Sequence, residues 1–124
     1  MIEFTQDRRQ HPRLSQNVAI KIFQDEGDIV TETSNISGTG IYCKVNKYLR
    51  PMTKLKIRLL LPLRKNNKKT TKQISCHAVI VRAEPADSKG AYYVAIFFND
   101  MTPKDAGIIS DYVNSCLEQN VNLS

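Results

Sequence analysis

The apolar positions of this chain fall into short alternating runs that give way, near residue 102, to a helical spacing. In VAIKIF, residues 18–23, Val18, Ile20 and Ile22 recur at period two among β-branched and aromatic neighbours, as on a half-buried strand. DEGD at 25–28 has hairpin chemistry and IVTETS follows at 29–34, so the two runs are expected to pair antiparallel. GIYCKV at 40–45 repeats the alternation through Ile41, Cys43 and Val45. After a corner at Pro51 and Met52, KLKIRLLL at 54–61 sets Leu55, Ile57, Leu59 and Leu61 against Lys54, Lys56 and Arg58. Pro62 is expected to end that strand, leaving RKNNKKTTK at 64–72 as a basic, polar loop. ISCHAVIVRAE at 74–84 and AYYVAIFF at 91–98 predict two more strands, joined through PADSKG, whose Pro and Gly are turn residues.

From Thr102 the period changes. Thr102 can cap, Pro103 suits the first helical position, and Asp105 lies where the helix dipole favours an anion. Ile109, Tyr112, Val113, Cys116 and Leu117 share one face, predicting a helix over 102–120 that lies against the sheet. About six antiparallel strands in a small domain must hide their edges, which predicts a small six-stranded β-barrel with a C-terminal α-helix packed across it.

At 124 residues the chain suits one domain that buries roughly 65–70% of its unfolded surface. Hydrophobic residues make up 41% and charged residues 24%, and Trp is absent, so the core is aliphatic. Eighteen Lys and Arg against twelve Asp and Glu leave a net charge of +6, which suits an anionic partner: nucleotide, nucleic acid or membrane surface. Cys43, Cys76 and Cys116 are odd in number and lack metal-type spacing, so neither a disulfide framework nor a metal site is indicated, and a reducing cytoplasm fits best. The charged N-terminus and the shortness of LLLPL at 59–63 disfavour export and membrane insertion.

Two segments carry candidate chemistry. RRQHPR at 8–13 places Arg8, Arg9 and Arg13 around Pro12, which biases His11 out of the helical region and favours an extended arm over 1–15, ahead of the barrel at 16–124. Guanidinium is planar, permanently charged and bidentate, and matches phosphate oxygens or the O6/N7 edge of guanine. In NISGTG at 35–40, Asn35 and Ser37 alternate, so both side chains can face one way, and Gly38 and Gly40 permit close backbone approach. An amide and a hydroxyl can serve the Watson–Crick edge of a purine, although a Gly-rich hairpin turn explains the same residues.

The order of these parts, RxxxR (Arg9, Arg13), about twenty residues, then NxSxxG (Asn35, Ser37, Gly40), resembles the PilZ domain family. The late strand pair at 79–98 and the terminal amphipathic helix fit too, so the resemblance covers roughly residues 7 to 118. It implies a six-stranded barrel and a receptor for the bacterial second messenger cyclic di-GMP. Arg9 and Arg13 would clamp phosphate and the Hoogsteen edge of guanine, and Arg8 would meet a second guanine. Asn35 and Ser37 would bind guanine's other polar edge, with Gly40 allowing close contact. Asn35 stands where the family offers Asp or Asn, and an amide makes the weaker hydrogen bond. With no output domain evident, such a receptor would act through a partner protein.

Catalysis has little support. Cys76 and His77 are strand neighbours and point to opposite faces, and no paired carboxylates, phosphate-cradling loop or metal cluster is evident, so neither catalytic residue nor cofactor is expected. Two other readings stay open: a basic small barrel binding single-stranded nucleic acid, and a ligand-blind interaction module of the same fold. Against the first, aromatics are only 7%, and Tyr92, Tyr93, Phe97 and Phe98 come in adjacent pairs, of which one member should face the core.

Overall fold

The computed structural model describes residues 17–65 and 67–123. Its strands are β1 (Ala19–Phe23), β2 (Ile29–Ile36), β3 (Gly40–Val45), β4 (Lys54–Lys65), β5 (Lys68–Pro85) and β6 (Tyr92–Phe98), followed by the helix α1 (Pro103–Leu123). All neighbours are antiparallel and the barrel closes in the order β1-β2-β3-β6-β5-β4. Closure pairs every strand on both sides, and it places β1, β4 and β5 across the barrel from the β2–β3–β6 face.

Period two decides what fills the barrel. Ile20, Ile22, Ile57, Leu59 and Leu61 are essentially inaccessible, as are Ile36, Ile41, Ile80 and Val94 from the other strands. Burying each such side chain is worth about 1.5–3 kcal/mol. The helix joins this core through Ile109, Tyr112 and Val113, with Cys116 and Leu117 packed partly against it. Thr102 caps it as expected, its Oγ1 accepting from the Asp105 amide at 3.1 Å. The helix runs to Leu123, one turn past its expected end.

The basic segment departs from expectation. Pro62 does not end β4 and 64–72 is not a loop: β4 and β5 pair continuously from Lys54↔Val79 through Pro62↔Thr71 to Lys65↔Lys68. Proline is tolerated because β1 pairs with β4 only as far as Ala19↔Leu60, which leaves Pro62 on an edge where no ladder donor is required. Between the paired Lys65 and Lys68, Asn67 sits at φ 64°, a conformation asparagine accepts. Read in isolation, lysines and asparagines suggest a loop; here they are the solvated arms of a long hairpin.

Candidate functional site

The β2–β3 connection is held by its own polar groups. Ser37 N donates to Gly40 O at 2.9 Å. The Ser37 hydroxyl accepts from Thr39 N at 3.2 Å and lies 3.2 Å from Thr39 Oγ1 and 3.4 Å from Gly40 O. Thr39 O in turn accepts from Phe98 N at 2.9 Å, tying the turn to the end of β6. Ser37 is buried, and its side chain is engaged inside the turn. Gly40 faces the backbone of β6, where a Cβ would fall on the carbonyl oxygen of Ile96, so strand packing by itself demands glycine here.

Asn35 is half-buried, whereas Ser37 is buried. A β-bulge lies between Thr33 and Asn35: Thr33 pairs with Cys43 and Asn35 with Tyr42, leaving Ser34 as the extra residue. The bulge reverses the phase of β2. Thr33 and Ile36 are buried on the inner side, whereas Asn35 shares the outer side with Tyr42. Simple alternation from Thr33 to Asn35 could not show this reversal.

Asn35 thereby heads a row across the outer face: Asn35↔Tyr42 and Tyr42↔Ala95 by strand register, then Arg82↔Ala95 beyond a second bulge at Val81. The Tyr42 ring stacks on Tyr93, centroids 5.3 Å apart and planes 8° from parallel. Its hydroxyl donates to Glu84 Oε1 at 2.9 Å, which also lies 3.9 Å from Arg82 Nε. Desolvation, reinforced by the Glu84 carboxylate, raises the Tyr42 pKa, so the phenol stays a neutral donor. Tyr42, Arg82 and Glu84 escaped the sequence reading, and Tyr93 entered it only as one of two adjacent aromatic pairs. Alternation with Ile41 and Cys43 turns Tyr42 outward, but only the register shows which residues of β5 and β6 it meets.

The chain joins this face where β1 begins. Val18 N donates to Thr33 Oγ1 at 3.0 Å, Thr33 N donates to Val18 O at 2.9 Å, and Asn17 Nδ2 donates to Glu32 Oε1 at 3.3 Å. Arg8, Arg9, His11 and Arg13 lie outside the described residues.

Cys76 is buried and His77 exposed, on opposite sides of β5 as expected. Burial pushes the Cys43 thiol up to about 12 and the Cys76 thiol to about 11, so neither is a ready nucleophile. His77 Nδ1 lies 2.7 Å from Asp100 Oδ2, and Asp100 Oδ1 accepts the His77 amide at 2.6 Å. Among the described residues no group of His, Cys, Asp and Glu could hold a metal, and no helix is long and apolar enough to cross a membrane. Phe98 is buried and Phe97 exposed, the split expected of an adjacent pair on one strand.

The family model for the PilZ domain matches residues 7–115, most of the chain. The chain belongs to the PilZ domain family. This is a family of cyclic di-GMP receptors, and its barrel-and-helix fold is the one described above. The PilZ fold here is similar to that of the inhibitor of motility (MotI/DgrA) from Bacillus subtilis, with a TM-score of 0.75 at 22% identity over 93% of this chain. This chain spans only 52% of that protein. It is also similar to the PilZ domain of YcgR from Escherichia coli, solved with c-di-GMP: TM-score 0.64, 10% identity, 91% of this chain and 94% of that one. No curated protein sequence matches the chain.

Proposed function

We propose that this PilZ domain is a cyclic di-GMP receptor that grips the dinucleotide between the arginines of residues 8–13 and the outer face at Asn35, and signals to a protein partner without catalysis. The observation that carries this reading is the tie between the start of β1 and the middle of β2. Val18 and Asn17 are hydrogen-bonded to Thr33 and Glu32, on the strand that bears Asn35. Arg13 is four residues before Asn17, and four residues span at most about 14 Å. The chain length therefore suits a clamp in which Arg9 and Arg13 meet phosphate and the Hoogsteen edge of one guanine while Arg8 meets another. Asn35 supplies the direct polar contact from the second motif. Ser37 and Gly40 act by shaping the turn and seating it against β6, so that its backbone can approach the ligand.

Isothermal titration with cyclic di-GMP tests this. Wild type should bind, and Arg9→Ala and Arg13→Ala should each lose about ten- to a hundredfold in affinity, as expected for a lost charge-assisted hydrogen bond of about 1.5–3 kcal/mol. Absence of binding by the wild type, or full affinity in both variants, would refute the reading.

A further inference from the structure

Across the barrel from Asn35, β1, β4 and β5 turn a second polar face to solvent. Register sets Lys21, Arg58 and Ser75 in one cross-strand row and Phe23, Lys56 and His77 in the next. Three cations crowd a single ring: Lys21 Nζ, Lys56 Nζ and Arg58 Cζ lie 5.2, 5.7 and 5.1 Å from the centroid of Phe23. The ring attracts each of them, but cations gathered this closely also repel one another, so the cluster favours a counter-anion. The protein supplies little. Asp28 lies 3.6 Å from Lys21, but its other oxygen accepts the Gln24 amide at 3.0 Å to hold the β1–β2 turn. Asp100 is bonded to His77, and Glu32 accepts from Asn17.

Apolar groups share the surface. Val30, opposite Lys21 on β2, is 74% exposed, and Leu60, two residues from Arg58 on β4, is 40% exposed. Side chains on one side of a strand repeat at about 6.6–6.8 Å, so Lys54, Lys56 and Arg58 form an evenly spaced line of charge along β4. We infer that this β1–β4–β5 face is the docking surface for a protein partner, and that the partner presents an acidic polypeptide segment with apolar side chains between its carboxylates. Extended acidic chain repeats at the same interval, and Val30 and Leu60 give its apolar groups a seat that a phosphodiester backbone would not use. Single-stranded nucleic acid fits less well, because the ring on which a base would stack is already crowded by three cations. The inference concerns the face across the barrel from Asn35 and does not rest on the proposed function.

The test uses three probes at equal ionic strength: a fluorescein-labelled dodecapeptide alternating Glu and Val, a labelled twelve-nucleotide oligothymidylate, and phosphatidylglycerol–phosphatidylcholine vesicles. Each is titrated against wild type and against a Lys21→Glu/Lys56→Glu/Arg58→Glu variant whose folding is checked by circular dichroism. The account expects the wild type to prefer the peptide, the triple variant to lose at least about tenfold for it, and cyclic di-GMP titration to be the same in both proteins. A Val30→Asp variant, which keeps the cations, should also weaken the peptide. Failure of the wild type to bind the peptide, preference for oligothymidylate or vesicles, or unchanged peptide binding in the charge-reversed protein would overturn it.

Discussion

Met52 adopts φ 72° directly after Pro51, and Thr53 N closes the turn on Arg50 O at 3.2 Å. This is a type II turn, whose third position favours glycine. The methionine is 76% exposed, so little packing offsets the steric cost. Met52→Gly should therefore raise stability by about 0.5–1 kcal/mol in chemical denaturation. At Gly40 the sign reverses: Gly40→Ala forces a methyl onto the Ile96 carbonyl and should cost about 2–3 kcal/mol even without ligand. Thiol reactivity reads out the core directly. Cys43 and Cys76 are buried and hold raised pKa values, whereas Cys116 is partly exposed, so a disulfide reagent at pH 8 should modify Cys116 first and the other two only on unfolding. At this scale the sequence was informative where chemistry is local. Thr102 as a cap and Cys76 as a core residue follow from their neighbours alone. Gly40 did not yield its reason, because the atom it makes room for lies on another strand.

Elements were legible wherever apolar residues alternate, and illegible wherever the alternation slips or lapses. The bulge in β2 inverts Asn35 relative to Thr33, and bulges carry no apolar signature of their own. The tip of the β4–β5 hairpin has no apolar stripe because it extends past the end of β1 into solvent. Two junctions can be probed by mutation. Ile109 is fully buried where α1 meets the core, and Ile109→Ala should cost about 2–5 kcal/mol, lowering the denaturation midpoint. The junction between β5 and the segment leading to α1 is pinned by His77 and Asp100. Hydrogen bonds from the His77 side chain and backbone hold the Asp100 carboxyl below its ordinary range. Its folded pKa is thus below the unfolded one, so the stabilisation is present above about pH 3.9 and fades as pH falls through the folded value. Stability curves for wild type and Asp100→Asn should therefore converge on acidification; a gap independent of pH between 2 and 6 would rule the carboxylate out.

For the molecule as a whole, closure of the barrel gives its outside two opposed polar sides. One, on β2, β3 and β6, carries Asn35 beside the stacked pair Tyr42–Tyr93 and is the side proposed above to take the nucleotide. The other, on β1, β4 and β5, carries the cations around Phe23. The barrel and its helix could be argued from period and capping, and the family from the spacing of RxxxR and NxSxxG, because both are encoded along the chain. Which residues face one another around a closed sheet is set by register, which the sequence does not carry residue by residue. The central claim is that a single dinucleotide bridges the arginine segment and the Asn35 side. Amide chemical shifts of isotopically labelled wild type, recorded during titration with cyclic di-GMP, test it most directly. The account predicts perturbations concentrated at residues 8–13 and 35–42, with Lys21, Lys56 and Arg58 unmoved; perturbations centred on β1 and β4, or confined to only one of the two predicted segments, would contradict it.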